Sequence, residues 1–122
     1  MRMIAVANSA PTQWKEDFAT PYLEARRNMK ATVEHRVKSW PHLFALTLSG
    51  EKKHELRRVS DRDYQVGDFL LLQEFDPVTQ RYSGRELRVK ITYMTSAEFP
   101  CALSEDALNP EFCVLSIEKV ED

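Results

Sequence analysis

Residues able to do chemistry crowd into positions 49–68, a stretch that opens with Ser49-Gly50 and closes with Gly67-Asp68. Within it, Lys53, Glu55 and Arg57 alternate with His54, Leu56 and Arg58, which is the period of a β-strand. One face of that strand then carries Lys53, Glu55 and Arg57, with Lys52 just before it. A carboxylate held among cations stays ionised and orients its neighbours. A guanidinium forks onto phosphate or carboxylate oxygens, and an ammonium supplies a point charge. The set suits a polar, anionic ligand: Arg57 and Lys52 meet a phosphate, while Glu55 accepts from a base amino group or holds Arg57 in place. The competing reading is a solvated face with Glu55–Arg57 or Glu55–Lys53 surface pairs, which stabilise little. That reading weighs most for Lys53 and Arg58. Arg62 and Tyr64 follow closely, and Tyr64 either stacks on a ligand or packs beneath the turn. The candidate ligand-binding residues are therefore Lys52, Lys53, Glu55, Arg57, Arg62 and Tyr64.

The rest of the composition narrows what this face can meet. A length of 122 residues fits one domain with a modest core. The formal net charge of −2 argues against a broad electrostatic grip on duplex nucleic acid and leaves room for a local basic pocket. Cys101 and Cys113 match no zinc spacing and the three histidines are scattered, so no metal and no cofactor is expected. The two cysteines read as reduced thiols of a cytoplasmic protein. The apolar run near Met1 is too short for a signal peptide, and no stretch is long enough to span a bilayer. No membrane partner is expected, and the sequence does not fix an oligomeric state.

The elements that position the charged face can be read in order. Residues 1–31 form an N-terminal extension in which Trp14, Phe18, Tyr22 and Leu23 fall near helical spacing, interrupted by Pro21. This predicts one or two short helical turns that cover core or serve as a lid or dimer contact. The domain proper spans 32–122. Val33, His35 and Val37 mark a first strand. Ser39 then caps a helix with Pro41 in its first turn, and Gly50 stops it. Trp40, Leu43, Phe44 and Leu48 form its apolar stripe, which assigns Trp40 to the core rather than to base stacking. The aspartates at 61 and 63 satisfy turn backbone. Residues 69–75 are a central buried strand, 76–80 a turn, and Gly84 a bend or bulge. From 85 to 94, Leu87, Val89, Ile91 and Tyr93 face inward. A loop with a helical turn at 104–108 precedes a closing strand carrying Cys113, Leu115 and Ile117. His35 and His54 are structural. The fold class is α+β, mainly β: a small, partly closed β-barrel with one prominent edge helix and a short N-terminal helical extension.

Several runs carry a family likeness: Trp40-Pro41 with Phe44, the run 49–58, the run 61–68 from Asp61-Arg62 to Gly67-Asp68, Glu74-Phe75-Asp76-Pro77, Ser83-Gly84-Arg85 and Val114-Leu115-Ser116-Ile117. Over roughly residues 34–119 the sequence resembles the ASCH domains of the PUA-like superfamily, and most closely a small uncharacterised bacterial and phage family of RNA-binding-like domains in that group. The resemblance implies a PUA-like barrel with a pocket where the helix after the first strand meets the charged strand, in folds associated with RNA or modified nucleotides. Some relatives resemble amidohydrolases acting on acetylated cytidine through a lysine, a threonine and a glutamate. Lys52 falls at the lysine position, but Glu55 falls where threonine stands, so the nucleophilic hydroxyl is missing. The expected function is an RNA- or modified-nucleotide-binding module, with single-stranded RNA, a nucleotide or a nucleoside as partner. One alternative is a small amidohydrolase of acylated nucleosides with Lys52 and Glu55 catalytic. Another is a protein-interaction module that recruits its partner through the N-terminal extension.

Overall fold

The computed structural model describes residues 32–121, so the N-terminal extension at 1–31 and its helical turns lie outside the described residues. Strands β1 (Glu34–Ser39), β2 (His54–Arg58), β3 (Phe69–Asp76), β4 (Arg81–Thr95) and β5 (Phe112–Lys119) form one sheet in the order β1-β3-β4-β5-β2. Only β1 and β3 are parallel; the other neighbours run antiparallel. The sheet is curled into a half-barrel with β1 and β2 at its two edges. Helix α1 (Pro41–Ser49) links β1 to β2 and packs on β3, and a single helical turn, α2 (Ser104–Ala107), precedes β5.

The core follows from alternation. β3 contributes Leu70 and Leu72, β4 Val89 and Ile91, and β5 Cys113, Leu115 and Ile117, all buried, with Phe44 of α1 laid against them. β3 has neighbours on both sides, which is why its sequence reads as a nearly continuous apolar run. β1 buries His35, Val37 and Ser39 on alternate positions. Val33 is half exposed, and its N–H donates to Asp68 Oδ1 at 3.1 Å. Asp68 is 1% exposed and also accepts from His35 Nε2 at 2.8 Å and the Gln65 N–H at 3.2 Å. A buried carboxylate needs such donors, and these tie the start of β1 to the turn before β3.

Four expectations shift. Ser39 does not cap α1: it is the last residue of β1, and Trp40 is the N-cap, with no side-chain cap bond. The apolar stripe of α1 is narrower than the spacing suggests. Phe44 and Thr47 are buried, whereas Leu43, Leu48 and above all Trp40 (56% exposed) lie outside the core. The residue before a proline is pushed into extended backbone, and Trp40 sits at φ −66°, ψ 149°, off the helix altogether. Tyr93 faces out, because Thr92 is an extra residue between the pairs Ile91–Ile117 and Tyr93–Ser116, and Met94 takes the inward place. Asp61 and Asp63 accept from side chains, those of Arg62, Tyr64 and Gln65, rather than from turn backbone. Gly50, by contrast, ends α1 as expected at φ 88°, its N–H donating to Thr47 O and that of Glu51 to Leu46 O.

Gly84 (φ 94°) belongs to a bulge. Gln73 pairs with Glu86 and Phe75 with Tyr82, so Ser83, Gly84 and Arg85 together face Glu74. The buried Glu74 carboxylate accepts from Ser83 Oγ (2.6 Å), Arg85 Nε (2.9 Å) and Arg85 Nη2 (3.0 Å). Donation from Arg85, then from Ser83, holds this carboxyl down at about 2 against an ordinary 4.5. A depressed native value stabilises the fold above the ordinary range, and the contribution fades as pH falls through that range towards the native value. Urea unfolding of the wild type and of Glu74→Gln should therefore differ at neutral pH, with the wild type more stable. The gap should close between about pH 4.5 and about pH 2. A gap independent of pH would show that the carboxylate charge is not what Glu74 contributes.

Candidate functional site

The charged strand is built inside out. In β2 it is Glu55 that points inward, 5% exposed, while Leu56 on the opposite face is 59% exposed. An inward carboxylate must be matched. Lys52 Nζ lies 2.8 Å from Glu55 Oε2 and also donates to the His54 carbonyl. Arg57 brings Nε to 3.1 Å and Nη2 to 2.9 Å from Glu55 Oε1. The Lys52 and Arg57 side chains are themselves only 13% and 17% exposed. This is a desolvated charge cluster, unlike a surface pair of little consequence.

The same arginine crosses the open side of the half-barrel. Arg57 Nη2, on edge strand β2, donates to Lys38 O on edge strand β1 at 2.8 Å. Arg62 Nη2 donates in the same way to Arg36 O at 3.1 Å. Carbonyls two residues apart on a strand point the same way, so the two guanidinia meet one row of β1 acceptors. Beside this crossing lies a cleft of about 400 Å³, whose walls include Ser39, Trp40, Leu43, Lys52, Glu55 and Arg57. Lys38 lines it too, its ammonium 4.3 Å from the Phe75 ring centroid. Two cations, Lys52 and Arg57, thus hold one carboxylate beside an exposed indole, while the Lys38 ammonium lies over Phe75.

The structure gathers Lys52, Glu55 and Arg57 into this cleft and places the other three candidates elsewhere. Lys53 is exposed and lines a neighbouring cavity of about 630 Å³ with Glu118 and Lys119; Lys52 borders both. Arg62 and Tyr64 line a third hollow of about 220 Å³ with Val59, Met94 and Cys113. Tyr64 is 4% exposed, its ring 5.0 Å from that of His35, and burial pushes its hydroxyl up to about 12. Burial likewise raises the Cys113 thiol. Lys38, Ser39 and Trp40 are cleft residues that the strand pattern of the charged stretch does not reveal. The signal for Trp40 was present in the proline after it, which denies it a place on the helix.

Removing Glu55 leaves two poorly solvated cations without a counter-charge. Glu55→Ala is expected to lower unfolding stability by roughly 3–5 kcal/mol, the range for breaking a buried pair, measured by urea denaturation. A loss below about 1 kcal/mol would reduce the cluster to an ordinary surface pair.

Among the described residues no helix is long and apolar enough to cross a membrane. The chain is 39% identical over 61 residues to a protein of Escherichia phage P2 named "Uncharacterized 12.9 kDa protein in GpA 3'region". The similar stretch covers 50% of this chain and 53% of the phage protein, so the chain spans about half the length of that relative. A family match covers residues 34–117, from the first residue of β1 to within two residues of the end of β5. The chain belongs to the family described as "Domain of unknown function (DUF3850)".

Proposed function

We propose that the cleft between β1, α1 and β2 binds single-stranded RNA or a modified or ordinary nucleotide, as a binding module rather than an enzyme. The observation that carries this reading is Trp40: a large indole, 56% exposed, on the wall of a cleft that also holds Lys52 and Arg57. Unstacked bases are recognised by aromatic stacking, with their phosphates met by lysine and arginine. A cleft of about 400 Å³ has the size of a small-ligand site. It takes a nucleotide or two and excludes a duplex. The resemblance to ASCH domains of the PUA-like superfamily supports the same ligand class.

Hydrolysis of acylated nucleosides ranks second. Lys52 Nζ is already committed to Glu55 Oε2 and to the His54 carbonyl, and Glu55 Oε1 to Arg57. Neither group is placed as an uncommitted base or nucleophile, and threonine is absent from the position where hydrolase-like relatives carry it.

Titration of a short single-stranded RNA by fluorescence anisotropy tests the reading. Trp40→Ala should weaken binding by about 1–3 kcal/mol, the worth of one stacked base, with an unchanged circular dichroism spectrum, because the side chain packs outside the core. Affinity should fall only gently with salt, since few phosphates are neutralised. Failure of the wild type to bind any RNA or nucleotide at low salt would remove this function.

A further inference from the structure

Two groups at the head of the cleft lack partners. Ser39 lines it and is 4% exposed, and among the described residues its Oγ is the buried side-chain polar atom with no hydrogen bond. Buried hydroxyls are ordinarily paired, and an orphan one calls for a reason. The second group is the start of α1. Its N-cap, Trp40, offers no side-chain cap bond, and its first turn contains no acidic residue. The first N–H groups of a helix have no partner within it and concentrate positive potential. Natural helices usually answer this with a Ser, Thr, Asp or Asn cap or an acid in the first turn; α1 has none of these.

Arg57 converges on the same place. Its Nε faces Glu55 and its Nη2 faces Lys38 O, which leaves Nη1 with no acceptor among the described residues. Glu74 pairs in register with Ser39 on the neighbouring strand, but its carboxylate is matched by Arg85 and does not line the cleft.

We infer that Ser39 Oγ, the uncapped N-terminus of α1 and Arg57 Nη1 form an oxyanion subsite, which receives the phosphate of the nucleotide whose base stacks on Trp40. The inference rests on the nucleotide reading of the cleft and adds the group it recognises. A helix N-terminus with a hydroxyl and a guanidinium beside it supplies directed donors and positive charge, which a phosphate matches and a neutral nucleoside does not. The serine hydroxyl moves between staggered rotamers at little cost, so it can turn from its buried position to donate to a phosphate oxygen.

Calorimetric titration of the full chain with uridine monophosphate, uridine and inorganic phosphate separates the possibilities. Wild type should bind the monophosphate more tightly than uridine. Ser39→Ala should weaken the monophosphate about tenfold, the worth of one charge-assisted hydrogen bond, and leave uridine unchanged. Its melting temperature without ligand should not fall, because the hydroxyl removed had no partner. His42→Glu, an exposed position in the first turn of α1, should weaken only the monophosphate by placing a carboxylate at the subsite. Equal monophosphate binding by wild type and both variants would overturn the subsite while leaving the nucleotide reading intact. If no nucleotide binds but inorganic phosphate does, with loss in Ser39→Ala, the subsite stands and the nucleotide reading falls. Binding of none of the three probes would overturn both.

Discussion

The open side of the sheet is organised around one buried carboxylate, that of Glu55. A curled sheet of five strands leaves two edges, here β1 and β2, and each presents unpaired backbone groups. Backbone pairing across that gap would have closed a barrel. What crosses it instead is Arg57, held by Glu55 at one end and reaching Lys38 O with the other, while Arg62 makes the parallel reach to Arg36 O. Without the Glu55 charge, Arg57 would have no reason to lie low against the strand, and its natural course would be out into water. The seam is therefore electrostatic where the rest of the sheet is a hydrogen-bonded ladder. An electrostatic seam keeps a cleft that a ladder would have filled.

The second constraint is covalent. Pro41 fixes its own backbone and forces Trp40 into extended geometry, so the chain leaves β1 and enters α1 without winding Trp40 onto the helix. Phe44 and Thr47 then reach the core while the indole stays at the rim, in the cleft that Glu55 and Arg57 shape from the other edge. The two constraints act on opposite walls. One brings charge and the other an aromatic face, and neither depends on a ligand for its position. A site prepared in this way binds with less ordering cost than one assembled from mobile side chains.

Much of this was legible in the sequence, and the failures have identifiable causes. Strand alternation correctly placed Glu55 and Arg57 on one face of β2, and the Gly50 stop correctly put that strand directly after α1. The buried run of β3, the bulge at Gly84 and the inward residues of β5 were equally readable. Periodicity failed where one residue broke the period. Thr92 turned Tyr93 outward, and Pro41 removed Trp40 from a stripe whose spacing it otherwise fits. Ser39 looked like a cap because serine is a favoured N-cap and Pro41 would then fall in the first turn; here the strand runs through Ser39 and the helix starts one residue later. Arg62 and Tyr64 were grouped with the cleft because they are close in sequence, but the turn after β2 carries them to another hollow. Asp68, the hub that accepts from Val33, His35 and Gln65, left no pattern at all, because its partners come from separate parts of the chain.

Charge distribution decides what kind of ligand such a site can serve. The whole chain carries a formal −2, whereas the cleft sets Lys52 and Arg57 against Glu55 alone. A positive cleft in a mildly negative protein draws an anion to one place and repels it elsewhere. Long nucleic acid would feel mostly the repulsive surface, because its phosphates outrun the cleft within a few nucleotides. On the proposed reading, a short anion with a flat ring feels mainly the cleft. Glu55 sharpens the distinction: by neutralising part of the cationic charge it lowers nonselective attraction, and by fixing Arg57 it leaves the remaining donors directed. The buried acid that holds the seam is thus also what makes the cleft more selective than a bare basic patch.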